Sequence, residues 1–425
     1  MAGRTGPCMR LHVLTHTFPP STHANAKRPF YVVRHALAQG WEVEVFTSSL
    51  ALPDNAAETL HHPRLRIHRV DDPVLRWQQR ARKHPALFRA VVLACSAVMF
   101  PDACAGWVRR VLRRLEQHGP ADRTLAMVLP ASMLLAGRHP PAVDRRWVFD
   151  YQEPVSPQQW RVKRRSPLQR AWRRRLENLE RTTLHMVGRV VFTACSNLEA
   201  YVQMGLVPRA RTAHVPYFYD AEVFDALPPP AVHPEFGIVY FGTFDWRGAR
   251  SPETFLRGLA RFLQLHPEAR GCTRFRVHGP WLPQHDALLE SLKLREVFEQ
   301  GRLLDYEGYL EEVRRSPILL LVVAPAHDLF MPSKIVDYFG ARRPILALVP
   351  PGSEMADVLA RAGYGDSCCH PNDVQGVAQI LERFWARFRA GALGPVASQT
   401  QFWSSTTQLP IYWRHVVAAP ELPAG

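Results

Sequence analysis

The chain has 425 residues, and at about 100–200 residues per domain this length predicts two or three domains. Hydrophobic residues make up 47% and charged residues 21%, which excludes a disordered or fibrous chain and provides material for a large core. The 53 basic and 38 acidic residues give a formal charge of +15. This excess indicates a phosphate-rich partner, namely a nucleotide, a nucleic acid or an anionic membrane, although a genome that favours arginine codons gives the same composition.

Cysteines and apolar runs indicate the compartment. The seven cysteines form no C-x-x-C pair, which argues against a disulfide framework or a zinc ribbon and favours a reducing cytosol. The first residues, MAGRTGPCMRLHVLTH, lack the apolar stretch of a signal peptide. The longest apolar run, 90–100, is shorter than the roughly 20 residues of a spanning helix. We therefore expect a cytoplasmic protein that can dock peripherally on the inner face of the cell membrane.

The first half of the chain alternates short apolar strands with amphipathic helices, as in βαβ units around a parallel sheet. Pro29 suits the first turn of the first helix, and Gly40 suits its carboxyl-terminal cap. The predicted strands are 11–15, 41–47, 65–69, 125–129, 146–150, 190–193 and 212–215, and the predicted helices include 29–39, 105–118 and 168–187.

A proline-rich stretch, LPPPAVHP at 227–234, interrupts this alternation and is suited to a linker. Beyond it strands are predicted at 238–241, 275–278, 318–323 and 345–348, and helices at 252–265, 333–340, 353–362 and 374–389. The sequence thus predicts an α/β fold with two Rossmann-like domains facing across a cleft. The predicted parts are an N-terminal domain 1–226, a linker 227–236, a C-terminal domain 237–395 and a helix 396–425 that crosses back to the N-terminal domain.

Common phosphate-binding fingerprints are absent from the sequence. No G-x-G-x-x-G follows the first strand, no G-x-x-x-x-G-K-[S/T] occurs, and there is no D-x-D pair to hold a metal ion. A bound nucleoside diphosphate would therefore be neutralised by cationic side chains and helix amino termini.

The most informative segment is PSKIVDY at 332–338, which opens a helix after a buried strand. We expect Ser333 to cap this helix, Lys334 to place its charge beside a phosphate, and Asp337 to accept hydrogen bonds from a ribose. A capped helix with an ordinary surface ion pair has the same spacing. In a second segment, YFGT at 240–243 followed by Arg250, a strand-end glycine lets backbone approach a ligand and the arginine can bind phosphate bidentately.

Further segments stand in a fixed order along the chain: FPP at 18–20, Arg28, GWEVEVFT at 40–47, Pro101-Asp102 with Trp107, PAS at 130–132, VFDYQEP at 148–154 and ACS at 194–196. Together with YFGT and PSKIVDY, this order resembles bacterial GT-B glycosyltransferases of family 4 over nearly the whole chain. The resemblance implies a retaining, metal-independent transfer of a sugar from a nucleotide-sugar donor, with no cofactor.

By this resemblance Arg250 and Lys334 are the catalytic cations on the donor diphosphate, where negative charge builds as the glycosidic bond breaks. Asp337 would hold the ribose. Backbone N–H groups of Gly242, Thr243 and the Ser333 region would contact the leaving phosphate.

The acceptor side would be lined by His16 and Arg28 from the first loop and by Asp150 and Glu153 after the fifth strand. One departure concerns the paired glutamates of the family, which lie eight positions apart. Here Leu329 stands eight positions before Asp337, and Asp328 beside it is the remaining candidate for contacts with the donor sugar.

Histidines and arginine-rich stretches suggest other partners. None of the 19 histidines pairs at ligand spacing beside a carboxylate on one predicted helix, so we predict no metal site. The basic stretch 161–181 and the mixed basic and aromatic region 74–117 fit either ordinary helices or a surface for anionic lipid headgroups.

The combined prediction is a glycosyltransferase that adds sugars to a lipid-linked or polysaccharide acceptor in cell-surface glycan synthesis. A nucleotide-sugar epimerase of the same architecture is the first alternative. A basic nucleic-acid-binding protein is the second, against which no recognisable recognition module occurs in the sequence.

Overall fold

The computed structural model describes residues 8–21, 23–49, 60–81, 84, 88, 99–138, 144–157, 166–226, 234–245, 250–323, 329, 331–396 and 399–417. The chain divides into two compact units. The first comprises Met1–Pro216 with Leu409–Gly425, and the second comprises Tyr217–Gln408. This division falls before the proline-rich stretch, of which residues 227–233 lie outside the described residues.

The first unit is built on a parallel sheet with the order β3-β2-β1-β4-β5-β6-β7. The strands are β1 (Arg10–Leu14), β2 (Glu42–Ser48), β3 (Leu65–Val70), β4 (Arg123–Met127), β5 (Trp147–Tyr151), β6 (Arg189–Phe192) and β7 (Thr212–His214). The helices described here are α1 (Lys27–Ala38), α2 (Pro73–Ala81), α3 (Ala105–His118), α4 (Pro167–Met186) and α5 (Cys195–Gln203). All strands predicted for this half are present to within two residues.

Helix α3 illustrates how sequence periodicity produces packing in the first unit. Its buried residues include Trp107, Val108, Val111, Leu112 and Leu115, which recur at three- and four-residue intervals and so form one apolar stripe. The stripe packs on the sheet in the same core cluster as Phe46 of β2. The arginines of α3 fall on the opposite, exposed face.

The second unit also has a parallel sheet, with the order β10-β9-β8-β11-β12-β13. The strands are β8 (Phe236–Phe241), β9 (Thr273–His278), β10 (Phe298–Gly301), β11 (Ile318–Val322), β12 (Ile345–Leu348) and β13 (Cys368–Cys369). The helices are α6 (Ala221–Ala226), α7 (Glu253–Leu265), α8 (Gln284–Ser291), α9 (Tyr306–Arg315), α10 (Lys334–Ala341), α11 (Glu354–Arg361) and α12 (Val374–Arg389). The predicted α/β class with two Rossmann-like domains is confirmed.

The last helix, α13 (Ser405–Val417), belongs to the first unit from Leu409 onward. There the Trp413 ring packs edge-on against Trp41 at 5.0 Å between ring centres. Arg123 Nε donates to the carbonyl of Val417 at 2.9 Å. Within the described part of the chain, no helix combines the length and the apolar character needed to cross a membrane.

Candidate functional site

Two of the predicted segments meet at the centre of the second sheet. The strand order reverses at β8, with β9 and β10 on one side and β11 to β13 on the other. At such a switch point the connections leave in opposite directions, and the crevice beyond the strand ends is where α/β proteins bind ligands. YFGT at 240–243 ends β8, and PSKIVDY at 332–338 opens α10 after β11. Their side chains are therefore close in space although they are far apart in sequence.

Lys334 extends from the start of α10 to the end of β8. Its Nζ donates to the carbonyl of Phe241 at 2.9 Å and lies 4.1 Å from the centre of the Tyr240 ring. Burial, with a further contribution from the charge of Arg250, lowers the pKa of Lys334 to about 7. Among the described residues no carboxylate lies within ion-pair distance of this ammonium. Lys334 is thus a half-buried cation with no carboxylate counter-charge in the described part of the chain.

Arg250 is the second cation of the site. Its side chain is 39% exposed, and its Nε lies 3.5 Å from an Asp245 carboxylate oxygen. The Asp245 N–H also donates to the Arg250 carbonyl at 3.0 Å, which closes the loop between these residues. The guanidinium is partly open to solvent, so it can exchange its long contact with Asp245 for a phosphate.

Gly242 is exposed, but its backbone N–H is bonded to the neighbouring strand. Its N–H donates to the carbonyl of His278 at 3.0 Å, so the prediction that this N–H contacts the leaving phosphate is wrong in this conformation. A side chain on Gly279 would come within 2.1 Å of the Gly242 carbonyl oxygen. Gly242 itself has a φ of +127°, which favours glycine. Thr243, the next residue, is exposed and accepts a hydrogen bond from Tyr240 Oη at its carbonyl, 3.4 Å away.

Ser333 does not cap α10 with its side chain, contrary to the prediction. Its φ of −59° and ψ of −27° are helical, whereas a capping serine needs an extended conformation to direct its oxygen at the free N–H groups. Instead the Ile335 N–H bonds to the Pro332 carbonyl at 3.1 Å. Asp328, the candidate for the donor sugar, lies outside the described residues.

Asp337 faces α9 from the first turn of α10. It is 4% exposed, and its Oδ2 accepts a hydrogen bond from Tyr309 Oη at 3.0 Å. Burial beside this carboxylate raises the pKa of Tyr309 well above its usual value, so the phenol remains a donor. Tyr309 therefore orients the carboxylate that the sequence assigned to a ribose, and that assignment stays a prediction.

Aromatic residues of this site were not predicted. Tyr240 stacks on Phe244 with ring centres 3.9 Å apart, and Phe241 stacks on His278 at 5.2 Å. The Tyr240 phenol is buried, which raises its pKa to about 12. Tyr240 belongs to the YFGT segment but was given no role of its own. Tyr309 lies on a helix that the sequence pattern did not predict.

In the first unit, His16 follows β1 and lies beside Asp72 and Cys104, which directly precede α2 and α3. Its Nε2 is 3.3 Å from an oxygen of Asp72 and 3.8 Å from the sulfur of Cys104. The His16 ring packs edge-on against Trp107 at 4.8 Å. Burial, together with the carboxylates of Asp102 and Asp72, raises the pKa of Cys104 beyond the range in which a thiolate forms. The His16 side chain is 15% exposed and is thus the accessible member of this cluster beside the fully buried Asp72 side chain.

Arg28 and Asp150 are brought together, but as a buried pair. Arg28 Nε donates to Asp150 Oδ2 at 2.7 Å, and its other nitrogens donate to the carbonyls of Pro216 and Val215 at 2.9 and 3.0 Å. Tyr412 of α13 donates to the same Asp150 oxygen at 2.6 Å. Arg28 is 3% exposed and Asp150 is fully buried, so both face the protein interior instead of an acceptor. Glu153, by contrast, is exposed beyond the end of β5.

Comparison with known proteins identifies the fold. The two parallel sheets, each with a switch point at its first strand, define an α/β chain of the GT-B class. A sucrose-phosphate synthase from Thermosynechococcus elongatus is similar with a TM-score of 0.65 and 12% identity, covering 97% of this chain and 100% of that chain. A UDP-forming trehalose-phosphate synthase from Burkholderia xenovorans, in complex with glucose-6-phosphate, gives 0.62 and 13%, covering 96% and 99%. The trehalose-6-phosphate structure from E. coli bound with UDP-2-fluoro glucose gives 0.59 and 16%, covering 96% and 97%.

No family model matches the chain, and no curated protein is similar to it in sequence. The likeness to solved structures therefore shows the fold. The assignment to family 4 stays a prediction.

Proposed function

We propose that the protein is a glycosyltransferase whose second unit binds a nucleotide-sugar donor. The observation that carries this proposal is Lys334, a half-buried ammonium with no carboxylate partner in the described structure, placed at the switch point of a parallel sheet. A cation in this position is stabilised when an anion binds, and a nucleoside diphosphate brings such an anion to this edge of the sheet.

The chemistry follows from where charge develops. As the bond between the sugar and the diphosphate breaks, negative charge accumulates on the leaving phosphate. Lys334 and Arg250 would stabilise this charge from fixed positions, without a metal ion. Removing a fixed group of this type typically lowers kcat by about 10²–10³. Asp337, oriented by Tyr309, would accept hydrogen bonds from the ribose.

The similar structures support a uridine nucleotide and a sugar acceptor. One is described as UDP-forming and contains glucose-6-phosphate, and another contains UDP-2-fluoro glucose. For this chain we propose a UDP-sugar donor, transfer with retention, and a lipid-linked or polysaccharide acceptor at the cytoplasmic face of a membrane. The basic charge supports membrane docking, and Glu153 and His16 remain the accessible acceptor-side candidates.

Donor binding tests the site directly. Calorimetric titration with UDP, and with UDP-, ADP- and GDP-sugars, should give one site per chain. Affinity should fall at least about tenfold in Lys334→Met and in Arg250→Ala, since each removes a charged hydrogen bond worth about 1.5–3 kcal/mol. The matched controls are Lys293→Met, an exposed lysine of the same unit, and Arg257→Ala, which pairs with Glu253 on α7. Equal affinity in all four variants would exclude the proposed site.

Product analysis distinguishes the proposed reaction from the alternatives. When incubated with the donor alone, a glycosyltransferase should slowly hydrolyse it to UDP and free sugar. A nucleotide-sugar epimerase would instead convert the donor into the epimeric nucleotide sugar. Parallel incubations with glucose 6-phosphate and with a lipid-linked glycan identify the acceptor class. Strongly salt-dependent binding to generic DNA or RNA, without donor binding, would instead support the nucleic-acid-binding alternative.

A further inference from the structure

Three polar residues of the first sheet, His12, Glu44 and His68, lie on one face, and His118 of the helix above them completes the group. His12 on β1 pairs in register with Glu44 on β2, and His68 on β3 pairs with Phe46 on β2. Register partners in parallel strands point to the same face, and so do residues two positions apart. Helix α3 packs over this face and ends at His118.

Two of these histidines converge on the carboxylate. Glu44 Oε2 lies 2.8 Å from His68 Nε2 and 3.0 Å from His118 Nδ1. The three ligand atoms all lie within 4.8 Å of one another. The three residues come from β2, β3 and α3, so their spacing along the sequence did not reveal them.

The Glu44 carboxylate is buried against these two rings. The Glu44 side chain is only 8% exposed, and within the described part of the chain the groups at ion-pair distance are His68 and His118. A buried carboxylate favours a positively charged partner, and a divalent cation supplies one. In addition, His12 Nε2 has no hydrogen-bond partner although the residue is 1% exposed.

We propose that Glu44, His68 and His118 bind a divalent transition-metal ion, for which zinc is the best fit. Two imidazole nitrogens and one carboxylate oxygen, with water in a fourth position, are a ligand set that zinc accepts. Ligand bonds of about 2.1 Å at tetrahedral angles place ligand atoms about 3.4 Å apart. The separations of 2.8 and 3.0 Å from the Glu44 oxygen need to widen by about half an ångström, and the two histidine nitrogens lie within 4.8 Å of each other.

Neighbouring residues hold the rings in position and leave an entry route. Phe46 stacks on His68 with ring centres 4.7 Å apart and contacts His118 edge-on at 5.5 Å. The His118 side chain is 26% exposed, so an ion and its water can enter from the end of α3. The ion would tie α3 to β2 and β3. Its role is structural, since the donor residues proposed above belong to the second unit.

Zinc itself is the probe. Protein freed of metal with a chelator and dialysed should bind one zinc ion per chain by calorimetric titration and should melt at a higher temperature when loaded. Cobalt(II) in place of zinc should give the visible absorption of a four-coordinate site. His118→Gln should weaken zinc binding by at least about 100-fold and abolish the thermal shift, because a ligand is lost.

The controls separate this site from other histidines. His185→Gln alters an exposed histidine in the last turn of α4, the counterpart of His118 in α3, and should bind zinc like wild type. Cys104→Ser tests the cluster of His16, Asp72 and Cys104 and should also bind normally. No stoichiometric zinc in wild type, unchanged affinity in His118→Gln, or loss confined to Cys104→Ser would each overturn the proposal. None of these readouts depends on donor binding.

Discussion

Lys334 provides a prediction in which stability and function change in opposite directions. Its pKa falls from 10.5 to about 7, and at about 1.36 kcal/mol per unit the folded state carries a cost of up to about 5 kcal/mol when this lysine is protonated. Lys334→Met removes that cost. The variant loses the hydrogen bond to the Phe241 carbonyl, worth about 1 kcal/mol, and the cation–π contact with Tyr240, worth about 1 kcal/mol more. We expect a net gain of about 2–3 kcal/mol near pH 7.

The sign of the pH dependence follows from proton binding. Between about pH 7 and 10.5 the unfolded lysine holds its proton and the folded one does not. The free energy of unfolding of wild type therefore rises with pH in this interval. The advantage of Lys334→Met should be full below about pH 7 and should vanish by about pH 10. A group at its ordinary pKa would contribute no slope in this range.

Thermal melting at a series of pH values measures this effect. The transition that UDP shifts in wild type identifies the second unit. At about 2–4 °C per kcal/mol, the expected increase in its melting temperature is about 4–12 °C at pH 7. At the same concentration, UDP should stabilise Lys334→Met less than it stabilises wild type and Lys293→Met. A lower melting temperature for Lys334→Met at pH 7, or a difference that does not change with pH, would refute the reasoning.

Other substitutions test the neighbouring contacts. Gly279→Ala should displace the Gly242 carbonyl, 2.1 Å from the new methyl group, and should lower UDP affinity, whereas Gly271→Ala has open space around it and should not. Arg28→Met leaves the Asp150 charge buried and should reduce the free energy of unfolding in urea by about 3–5 kcal/mol; a loss below about 1 kcal/mol would contradict this. Tyr309→Phe should weaken UDP binding more than pyrophosphate binding, since Asp337 is assigned to the ribose; equal losses would reject that role.

Hydrophobic periodicity sufficed to predict most of the fold. Strand β11, ILLLV, is fully buried and reads as a strand from its sequence alone, and helices α3 and α12 were predicted with the bounds they have in the structure. The missed elements carry weaker signals. β10 has only partly buried or exposed residues, and α8 and α9 present few buried positions, so no apolar pattern distinguishes them from loops.

Site residues were harder to predict because their roles depend on contacts between distant segments. The sequence pattern predicts Gly242 at a strand end and Lys334 at a helix start. Only the fold brings the Lys334 Nζ to the Phe241 carbonyl. For Arg28 and Asp150 the sequence order matched an acceptor loop, whereas burial and the carbonyls behind Arg28 make them a structural pair. Tyr412, 262 residues from Asp150, could not be associated with it from spacing.

A comparison of the half-buried Lys334 with the buried cations Arg28 and Arg343 separates structural from ligand-binding roles. Arg28 has the Asp150 carboxylate beside it, and a buried ion pair of this kind needs no further anion. Arg343 is 2% exposed and donates to the Ser316 carbonyl at 2.8 Å. Like Lys334, it has no carboxylate at ion-pair distance among the residues that the structure describes. A missing counter-charge is therefore not sufficient to identify a ligand site. Arg343 precedes β12 and lies at the amino edge of the sheet, whereas Lys334 lies at the carboxyl edge, where α/β sheets bind ligands. Position in the sheet, combined with the missing partner, supports the proposal that Lys334 binds the diphosphate.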